Sequence, residues 1–159
     1  MSPSIAAAEV DDPSLLVRGV SPVLEVPFTD GGEVDYEGFD SVVRYVLSTG
    51  VTSLMFPGFA SEYYKLSDTE RLRLTRVLLG YTKDRSDVAA IVAVQDHATM
   101  LAVRRAREAV AEGADLINLL PPHFLSPPRS ALLRHVRAVL AAIEPTPVVL
   151  QYAPSETGT

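Results

Sequence analysis

The chain has 159 residues, of which 47% are hydrophobic, and carries 14 basic and 20 acidic residues for a net charge of −6. This composition fits one folded domain and excludes a disordered or coiled-coil chain. The lack of cysteine excludes a disulfide scaffold, a cysteine zinc site and a thiol nucleophile. The acidic balance argues against a nucleic-acid partner, and no apolar run reaches the roughly 18–20 residues of a membrane span.

The first residues do not resemble a secretory signal. Residues 1–10 lack a basic segment, and their apolar stretch is too short. Asp11, Asp12 and Pro13 then interrupt the segment. We expect residues 1–17 to form a flexible extension of a cytoplasmic protein, and residues 18–159 to form the folded part.

From residue 19 onward, short β-branched runs alternate with segments of helical periodicity. Strands are predicted at residues 20–26, 51–56, 88–94, 116–120 and 148–151. The run at 88–94 is continuously apolar, which is typical of a strand buried on both faces.

Four helices are predicted between these strands. The second begins at Ser67, with Glu70 in the capping-box position, and the first and third end at Gly50 and Gly113. Their apolar stripes are, in chain order, Tyr36, Phe39, Val43, Val46 and Leu47; Leu74, Val77, Leu78 and Tyr81; Val103, Ala106 and Val110; and Leu132, Val136, Val139 and Ile143. We expect Arg104, Arg105, Arg107 and His135 to lie on solvated helix surfaces.

This alternation predicts an α/β fold with a parallel sheet. A doubly wound sheet usually has a Gly-rich phosphate turn, and no predicted strand is followed by one. A (β/α)8 TIM barrel instead places its chemistry at the carboxyl ends of its strands, where the unusual segments of this sequence fall. A closed barrel needs about 250 residues. We therefore predict a TIM barrel, of which this chain supplies about the first five strands and four helices.

Four segments near these strand ends carry a family resemblance. They are Val26-Pro27-Phe28 with Gly32-Glu33-Val34-Asp35, Gly58 through Ser67, Ala111 through Asp115 with Leu120 through Phe124, and Gln151 through Gly158. In this order and spacing, they resemble the dihydrodipicolinate synthase / N-acetylneuraminate lyase family of class I aldolases.

The resemblance implies a lysine Schiff base with pyruvate or another 2-oxo acid, without a cofactor. The protonated imine is an electron sink for proton abstraction or carbon–carbon cleavage. The family lysine lies at the end of the sixth strand, so we expect it beyond residue 159, and we expect this chain alone to be inactive. Lys65 and Lys83, the two lysines present, fall in turns. Family members usually form homo-oligomers.

Carried over by position, the resemblance assigns the relay tyrosine to Tyr152, with a core tyrosine as the alternative. It assigns substrate binding to the loop residues Gly58, Phe59, Ala60 and Ser61, and it makes Glu62 structural. His123 is either a substrate-binding residue or a surface histidine.

The sequence also departs from the family pattern. Phe59 and Ala60 replace two threonines, Phe124 replaces a tyrosine, and Glu156 replaces an arginine. These departures favour a diverged member with a different 2-oxo substrate.

Two other functions remain open. One is a non-catalytic or truncated half-barrel. The other is a metal-dependent enzyme using Glu62, Asp96, His97 and His123, although their spacing matches no metal motif and we assign no metal. Asp96 precedes a predicted helix, where an aspartate is usually a helix cap. Because each directly follows a predicted strand, we expect Glu62, His97, His123 and Tyr152 to lie at one end of the sheet.

Overall fold

A parallel sheet flanked by four α-helices forms the part of the chain that the computed structural model describes, which is residue 15 and residues 17–154. In chain order the elements are α1 (Tyr36–Ser48), β1 (Ser53–Phe56), α2 (Asp68–Thr82), β2 (Ala89–Ala93), α3 (Thr99–Ala111), β3 (Leu116–Leu119), α4 (Arg129–Ile143) and β4 (Val148–Leu150). A short 3₁₀ helix, Tyr63–Lys65, precedes α2. Helices and strands therefore alternate as the sequence predicts.

The strands of the sheet are ordered β1-β2-β3-β4, and every neighbouring pair is parallel. Phe56 pairs with Val92, which in turn pairs with Ile117. Because each strand lies beside the one before it in sequence, all four carboxyl ends meet at one edge of the sheet.

The strand predicted at residues 20–26 is shorter than expected. Val23 forms a single parallel bridge to Met55, flanked by hydrogen bonds from Leu24 N to Met55 O (2.9 Å) and from Met55 N to Pro22 O (2.8 Å). Pro22 and Pro27 have no N–H group to donate, which prevents a longer ladder. The segment still lies beside β1, where the first strand of a barrel belongs.

The two faces of the sheet differ. The helix-facing side holds the main core, which includes Phe39, Phe56 and Leu78. On the opposite face, Ala89, Ile91 and Leu116 form a smaller buried cluster, with Val17 packed against it. Val17 belongs to the predicted extension, residues 1–17, which otherwise lies almost wholly outside the described residues.

The predicted start of α2 is confirmed. The Ser67 hydroxyl accepts a hydrogen bond from Glu70 N (3.3 Å), and the Glu70 carboxylate accepts one from Ser67 N (2.8 Å). This reciprocal pair satisfies two N–H groups that the helix start would otherwise leave unpaired.

The expectation that His135 lies on a solvated surface is wrong. Its side chain is 2% exposed, and its Nδ1 lies 3.0 Å from the Thr99 hydroxyl at the start of α3. Position 135 is three residues after Leu132 and four before Val139, so it falls on the stripe that α4 turns toward α3. Burial lowers the pKa of His135.

No helix within the described residues is long and apolar enough to cross a membrane.

Candidate active site

The residues expected at one end of the sheet do lie there. Glu62 follows β1, His97 follows β2, His123 follows β3 and Tyr152 follows β4. Since these strands are parallel neighbours, the four residues share the carboxyl edge. That placement is confirmed, and the loops at this edge form the candidate site.

The loop after β1 is anchored by a buried hydroxyl. Ser61 is fully buried, and its Oγ accepts a hydrogen bond from Gly58 N (3.0 Å) while donating one to the Leu24 carbonyl. A Cβ at Gly58 would lie 2.7 Å from a Val23 methyl group, so this position is restricted to glycine. Gly58 and Ser61 therefore hold the loop against the first segment, and neither group is free for a ligand.

Phe59 and Ala60, which lie between Gly58 and Ser61, have backbone N–H groups that are not engaged in the same way. Ser61 N donates to Gly58 O and Glu62 N to Phe59 O, whereas the N–H groups of Phe59 and Ala60 have no acceptor among the described residues. Successive N–H groups of this kind can bind an anion. Two successive backbone N–H groups of this loop are therefore not engaged within the described part of the chain.

The 3₁₀ helix that follows carries aromatic side chains. The ring centroids of Phe59 and Tyr63 are 5.8 Å apart, and burial raises the pKa of the Tyr63 phenol, an effect that the nearby Arg71 opposes. Glu62 forms an exposed ion pair with Lys65 at 2.7 Å. This hydrogen bond raises the pKa of Lys65, which is opposite to what a nucleophilic lysine requires.

A cavity of about 310 Å³ opens beside the strand ends. Its lining comprises Tyr63, Tyr64, Leu66, Arg71, Gln95, Asp96, His97, Arg105, Leu120, Pro121 and His123. His123 therefore faces a cavity, which favours a binding role over that of a surface histidine. Tyr152 and the loop residues 58–61 are not part of this lining, so the carboxyl edge presents two separate regions.

Arg71 is the most deeply buried charge of the cavity. It is 8% exposed, and its Nη2 lies 3.5 Å from the Gln95 amide oxygen, at the limit of a hydrogen bond. Its guanidinium also lies 5.6 Å from the centre of the Tyr63 ring. Desolvation, followed by the charge of Arg105, lowers the pKa of Arg71 to about 10.

Arg105 is not on a solvated helix surface, as the sequence predicted, although Arg104 and Arg107 are exposed. Its side chain is 19% exposed and bridges Asp96 at 2.8 Å and Asp68 at 2.7 Å. Asp96 also accepts a hydrogen bond from Ala98 N (2.7 Å), just before α3. Asp96 thus stabilises the turn before α3 and positions Arg105, but it is not the helix cap, because the N-cap residue is Ala98 and it has no side-chain cap.

The two histidines of the strand ends are neighbours. The ring centroids of His97 and His123 are 4.8 Å apart, and Phe124 lies 5.9 Å from His97. The Nδ1 atom of His123 is buried and has no hydrogen-bond partner among the described residues. It is therefore an available polar group in the cavity region.

Tyr152 follows the last strand, and its side chain is 83% exposed in the described part of the chain. Its predecessor is fixed: Gln151 N donates to Leu119 O (2.9 Å), and the Asn118 amide donates to Gln151 Oε1 (2.8 Å). The backbone leading to Tyr152 is therefore held to β3 while the phenol remains accessible.

The residues considered for a metal centre do not assemble into one. Within residue 15 and residues 17–154, no three carboxylate or imidazole side chains converge as a metal site would require. The pairing of Asp96 with Arg105 and of Glu62 with Lys65 engages two of the four candidates.

Sequence reasoning missed Arg71 and Gln95. A signal for Arg71 was present, because it falls three residues before Leu74 and seven before Leu78 on the buried face of α2. A charged residue on an apolar stripe must find a polar environment, and here the cavity provides it.

The fold and its strand-end loops define a (β/α)-barrel protein of which the chain forms one part. The chain belongs to the dihydrodipicolinate synthetase family, whose model matches residues 16–159.

Curated relatives include two proteins named 4-hydroxy-tetrahydrodipicolinate synthase. The one from Acidothermus cellulolyticus is 33% identical over 133 residues, covering 84% of this chain and 42% of the relative. The one from Lachnoclostridium phytofermentans is 29% identical over 143 residues, covering 90% and 48%. The chain thus spans about half the length of the curated relatives it matches.

Solved structures of this family also match the chain over about half of their own length. A dihydrodipicolinate synthase structure superposes with a TM-score of 0.82 at 26% identity, covering 89% of this chain and 48% of the other. A prophage protein of the same family from E. coli K12, in complex with pyruvate, gives 0.82 at 24% identity, covering 90% and 47%. The second likeness shows the fold alone.

Proposed function

We propose that the protein containing this chain is a lyase or aldolase acting on pyruvate or another 2-oxo acid through a lysine Schiff base. The lysine would come from the part of the barrel that the chain does not cover. Lys65 lies in the loop after β1 but is engaged in an exposed ion pair with Glu62, Lys83 lies at the end of α2, and neither lysine lines the cavity.

The observation that carries this proposal is the loop after β1. The N–H groups of Phe59 and Ala60, which have no acceptor within residue 15 and residues 17–154, lie at the same carboxyl edge as Tyr152. A 2-oxo acid carries a carboxylate next to its ketone, and this carboxylate would accept hydrogen bonds from the two N–H groups. A family relative has been crystallised with pyruvate, which is the smallest acid of this kind.

The chemistry assigned to Tyr152 is proton transfer. The lysine amine attacks the ketone carbon, and water leaves as the imine forms, which requires protons to move to and from oxygen. The protonated imine then accepts the electron pair of a neighbouring C–H or C–C bond. An accessible phenol on a fixed backbone is suited to relay these protons, and Tyr152 meets both conditions.

We also propose that the protein is a homo-oligomer. Phe124 and Leu125 project from the loop after β3 and are 68% and 84% exposed. Association with a second copy would cover these two adjacent apolar side chains. The cytoplasmic location expected from the sequence stays a prediction.

One observation favours a second candidate, a non-catalytic half-barrel. The only hydroxyl of the loop at residues 58–61 belongs to Ser61, and that hydroxyl is engaged with Gly58 and Leu24. Phe124 cannot relay a proton because it has no hydroxyl group. Substrate binding would then rest on backbone groups alone, which a structural paralogue could retain without turnover.

Fragment complementation tests the two candidates. The chain is co-expressed with the carboxyl-terminal half of the Acidothermus relative, and the purified complex is incubated with pyruvate and borohydride. A class I enzyme gives a reduced adduct, detected by mass. In the complex, Tyr152→Phe should slow adduct formation about 100-fold or more, the scale of acid–base catalysis.

Tyr45→Phe is the matched control, because Tyr45 is an exposed tyrosine on α1. An assembled complex that forms no adduct would favour the non-catalytic half-barrel. Equal rates for wild type and Tyr152→Phe would remove Tyr152 from the mechanism.

A further inference from the structure

The inner face of the sheet, which is the face opposite the main core, carries a buried carboxamide near the carboxyl end of β3. Asn118 lies two residues after Leu116 on this strand, so both side chains project from the same face. Leu116 belongs to the cluster on the inner face, and Val149, which pairs with Asn118 from β4, packs against that cluster. Asn118 is 2% exposed, so its polar group is buried among apolar neighbours.

Asn118 is bonded to the side chain of Gln151, the residue that directly follows β4. The Asn118 Nδ2 group donates to Gln151 Oε1 at 2.8 Å, which holds the glutamine side chain beside Asn118. The backbone of Gln151 is fixed as well, because its N–H donates to Leu119 O at 2.9 Å. The pair therefore lies at the carboxyl ends of β3 and β4, the end of the strands at which barrel enzymes bind their substrates.

The two carboxamides use only part of their hydrogen-bonding capacity. A carboxamide has two N–H donors and an oxygen with two lone pairs. Within the described part of the chain, the side chains of Asn118 and Gln151 bond only to each other. Asn118 Oδ1 and Gln151 Nε2 are therefore an acceptor and a donor that lie close together without a partner among these residues.

The neighbouring strands cannot supply the missing partner for Asn118. Its neighbours in the sheet are Ala93 on β2 and Val149 on β4, and neither side chain has a polar atom. Burying a polar group without a hydrogen bond costs free energy, and buried amide oxygens are ordinarily bonded. A polar group from outside the described residues is therefore expected at this position.

We propose that the Asn118–Gln151 pair binds an uncharged oxygen of the substrate. This inference rests on the proposed function, because it takes the carboxyl end of the barrel as the substrate site. The acceptor on Asn118 and the donor on Gln151 match a hydroxyl group, which accepts one hydrogen bond and donates another. Both carboxamides are neutral, which suits a hydroxyl better than the substrate carboxylate, assigned above to the N–H groups of Phe59 and Ala60.

The pair determines specificity and does not transfer protons. A carboxamide does not titrate in the physiological range, so Gln151 can position an oxygen but cannot relay its proton. A site built to hydrogen-bond a substrate hydroxyl rejects an analogue without it, because the polar groups of the site are then left unpaired. The substrate is therefore a 2-oxo acid that carries a hydroxyl group on its carbon chain.

Side-chain NMR tests this inference on the wild-type chain. The sequence holds three carboxamide residues, Gln95, Asn118 and Gln151, so the side-chain NH₂ signals of a ¹⁵N-labelled sample can be assigned individually. The chain is titrated with two isosteric pairs of acids. They are 3-hydroxypyruvate against 2-oxobutanoate, and 4-hydroxy-2-oxobutanoate against 2-oxopentanoate.

In at least one comparison, the hydroxylated acid should shift the Asn118 and Gln151 signals saturably, at a concentration about tenfold lower than its isostere requires. Gln95 is the internal control, because its amide already donates to Pro57 O at 3.1 Å, and its signal should respond alike to both acids. Signals of Asn118 and Gln151 that do not distinguish the acids in either comparison would overturn the proposal.

Variants locate the preference. Gln151→Leu keeps a side chain of similar size but removes the amide, so the preference for the hydroxylated acid, followed by calorimetry, should disappear. Thr49→Val removes an exposed hydroxyl at the end of α1 and is the control that should keep it. Gln151→Glu covers the case in which Gln151→Leu does not fold, because its carboxylate can still accept the Asn118 bond but has no N–H. A preference that persists in either Gln151 variant would overturn the proposal.

Failure of this proposal is distinguishable from failure of the proposed lyase activity, because binding is measured without a Schiff-base lysine. A hydroxyl preference that depends on Gln151, without a borohydride adduct in the assembled complex, would retain the pair as a binding site and remove the lyase. An adduct with no hydroxyl preference would retain the lyase and remove the pair.

Discussion

The Ser61 hydroxyl donates a hydrogen bond to the carbonyl of Leu24, a residue 37 positions earlier in the chain. Through this bond, the loop after β1 is fixed to the segment that lies beside β1. The same oxygen accepts the Gly58 N–H, so one buried atom determines the shape of the candidate substrate loop. Its environment leads to the first prediction.

Replacing Ser61 with alanine should loosen the loop. The Leu24 carbonyl and the Gly58 N–H would both lose their partner, at a cost of about 1–3 kcal/mol for a buried unsatisfied group. Hydrogen exchange measured by mass spectrometry should accelerate in peptides spanning residues 57–62. Ser48→Ala, at an exposed helix end, is the control. Unchanged exchange in the Ser61 variant would show that the bond does not hold the loop.

Acidification should destabilise the fold through His135. Burial lowers its folded-state pKa below the ordinary value of 6.5, an effect opposed by Asp96 and reinforced by His97. The folded state thus binds fewer protons than the unfolded state between these pKa values. The stabilisation is complete above the unfolded pKa and is lost as pH falls, by at most about 1.4 kcal/mol per pH unit.

Thermal melts between pH 7.5 and 5 measure this effect. The Tm of the wild type should fall on acidification, and His135→Leu, which keeps an apolar side chain of similar size, should fall less. His123→Leu is the control, because His123 is not among the groups that shift the pKa of His135. Parallel Tm curves for wild type and His135→Leu would exclude His135 as the source.

The chain of residues 1–159 should associate when it is produced alone. β4 is an edge strand of the sheet within the described residues, and Leu150 at its end and Tyr152 after it are 57% and 83% exposed. Unpaired strand edges and apolar surface of this kind are usually covered by another molecule. We expect oligomers, aggregates or a partly packed state in size-exclusion chromatography. A single monomer of 17.2 kDa with a cooperative unfolding transition would contradict this expectation.

The isolated chain should not turn over 2-oxo acids. Lys65 is paired with Glu62 and half-exposed, and Lys83 is exposed at the end of α2. Neither site desolvates an amine, so neither lysine should be nucleophilic near neutral pH. Borohydride with pyruvate should leave the mass of the chain unchanged. An adduct that disappears in Lys65→Ala or Lys83→Ala would identify a nucleophile within the chain.

The sequence predicted most of the fold because periodicity and caps are local signals. The four helices, the box at Ser67 and the doubly buried strand β2 all follow from spacing along the chain. The segment at residues 20–26 deviates because two prolines limit its pairing. The position of His135 also matched the α4 stripe, but its residue type suggested exposure, and its partner Thr99 lies on another helix.

The site was less predictable because its contacts join distant parts of the chain. Arg105 meets Asp68 from a different helix, 37 residues earlier, and Arg71 meets Gln95 across 24 residues. No local sequence pattern predicts that Arg105 pairs with two carboxylates, whereas Arg71 pairs with none among the described residues. Family resemblance supplied the loop and Tyr152, and the contacts of Ser61 changed the interpretation of that loop.

The order of the strands has a consequence for how the chain is made. Every strand of the sheet pairs with the strand that precedes it in sequence. During synthesis, each new β-strand therefore emerges next to a strand that is already present. The helix that connects the two strands can pack over the pair at once. Residues paired between neighbouring strands are 25–36 positions apart, so each pairing closes a single strand–helix–strand unit. The protein can thus grow by successive addition from its amino-terminal side, and each new strand is added at the same edge of the sheet.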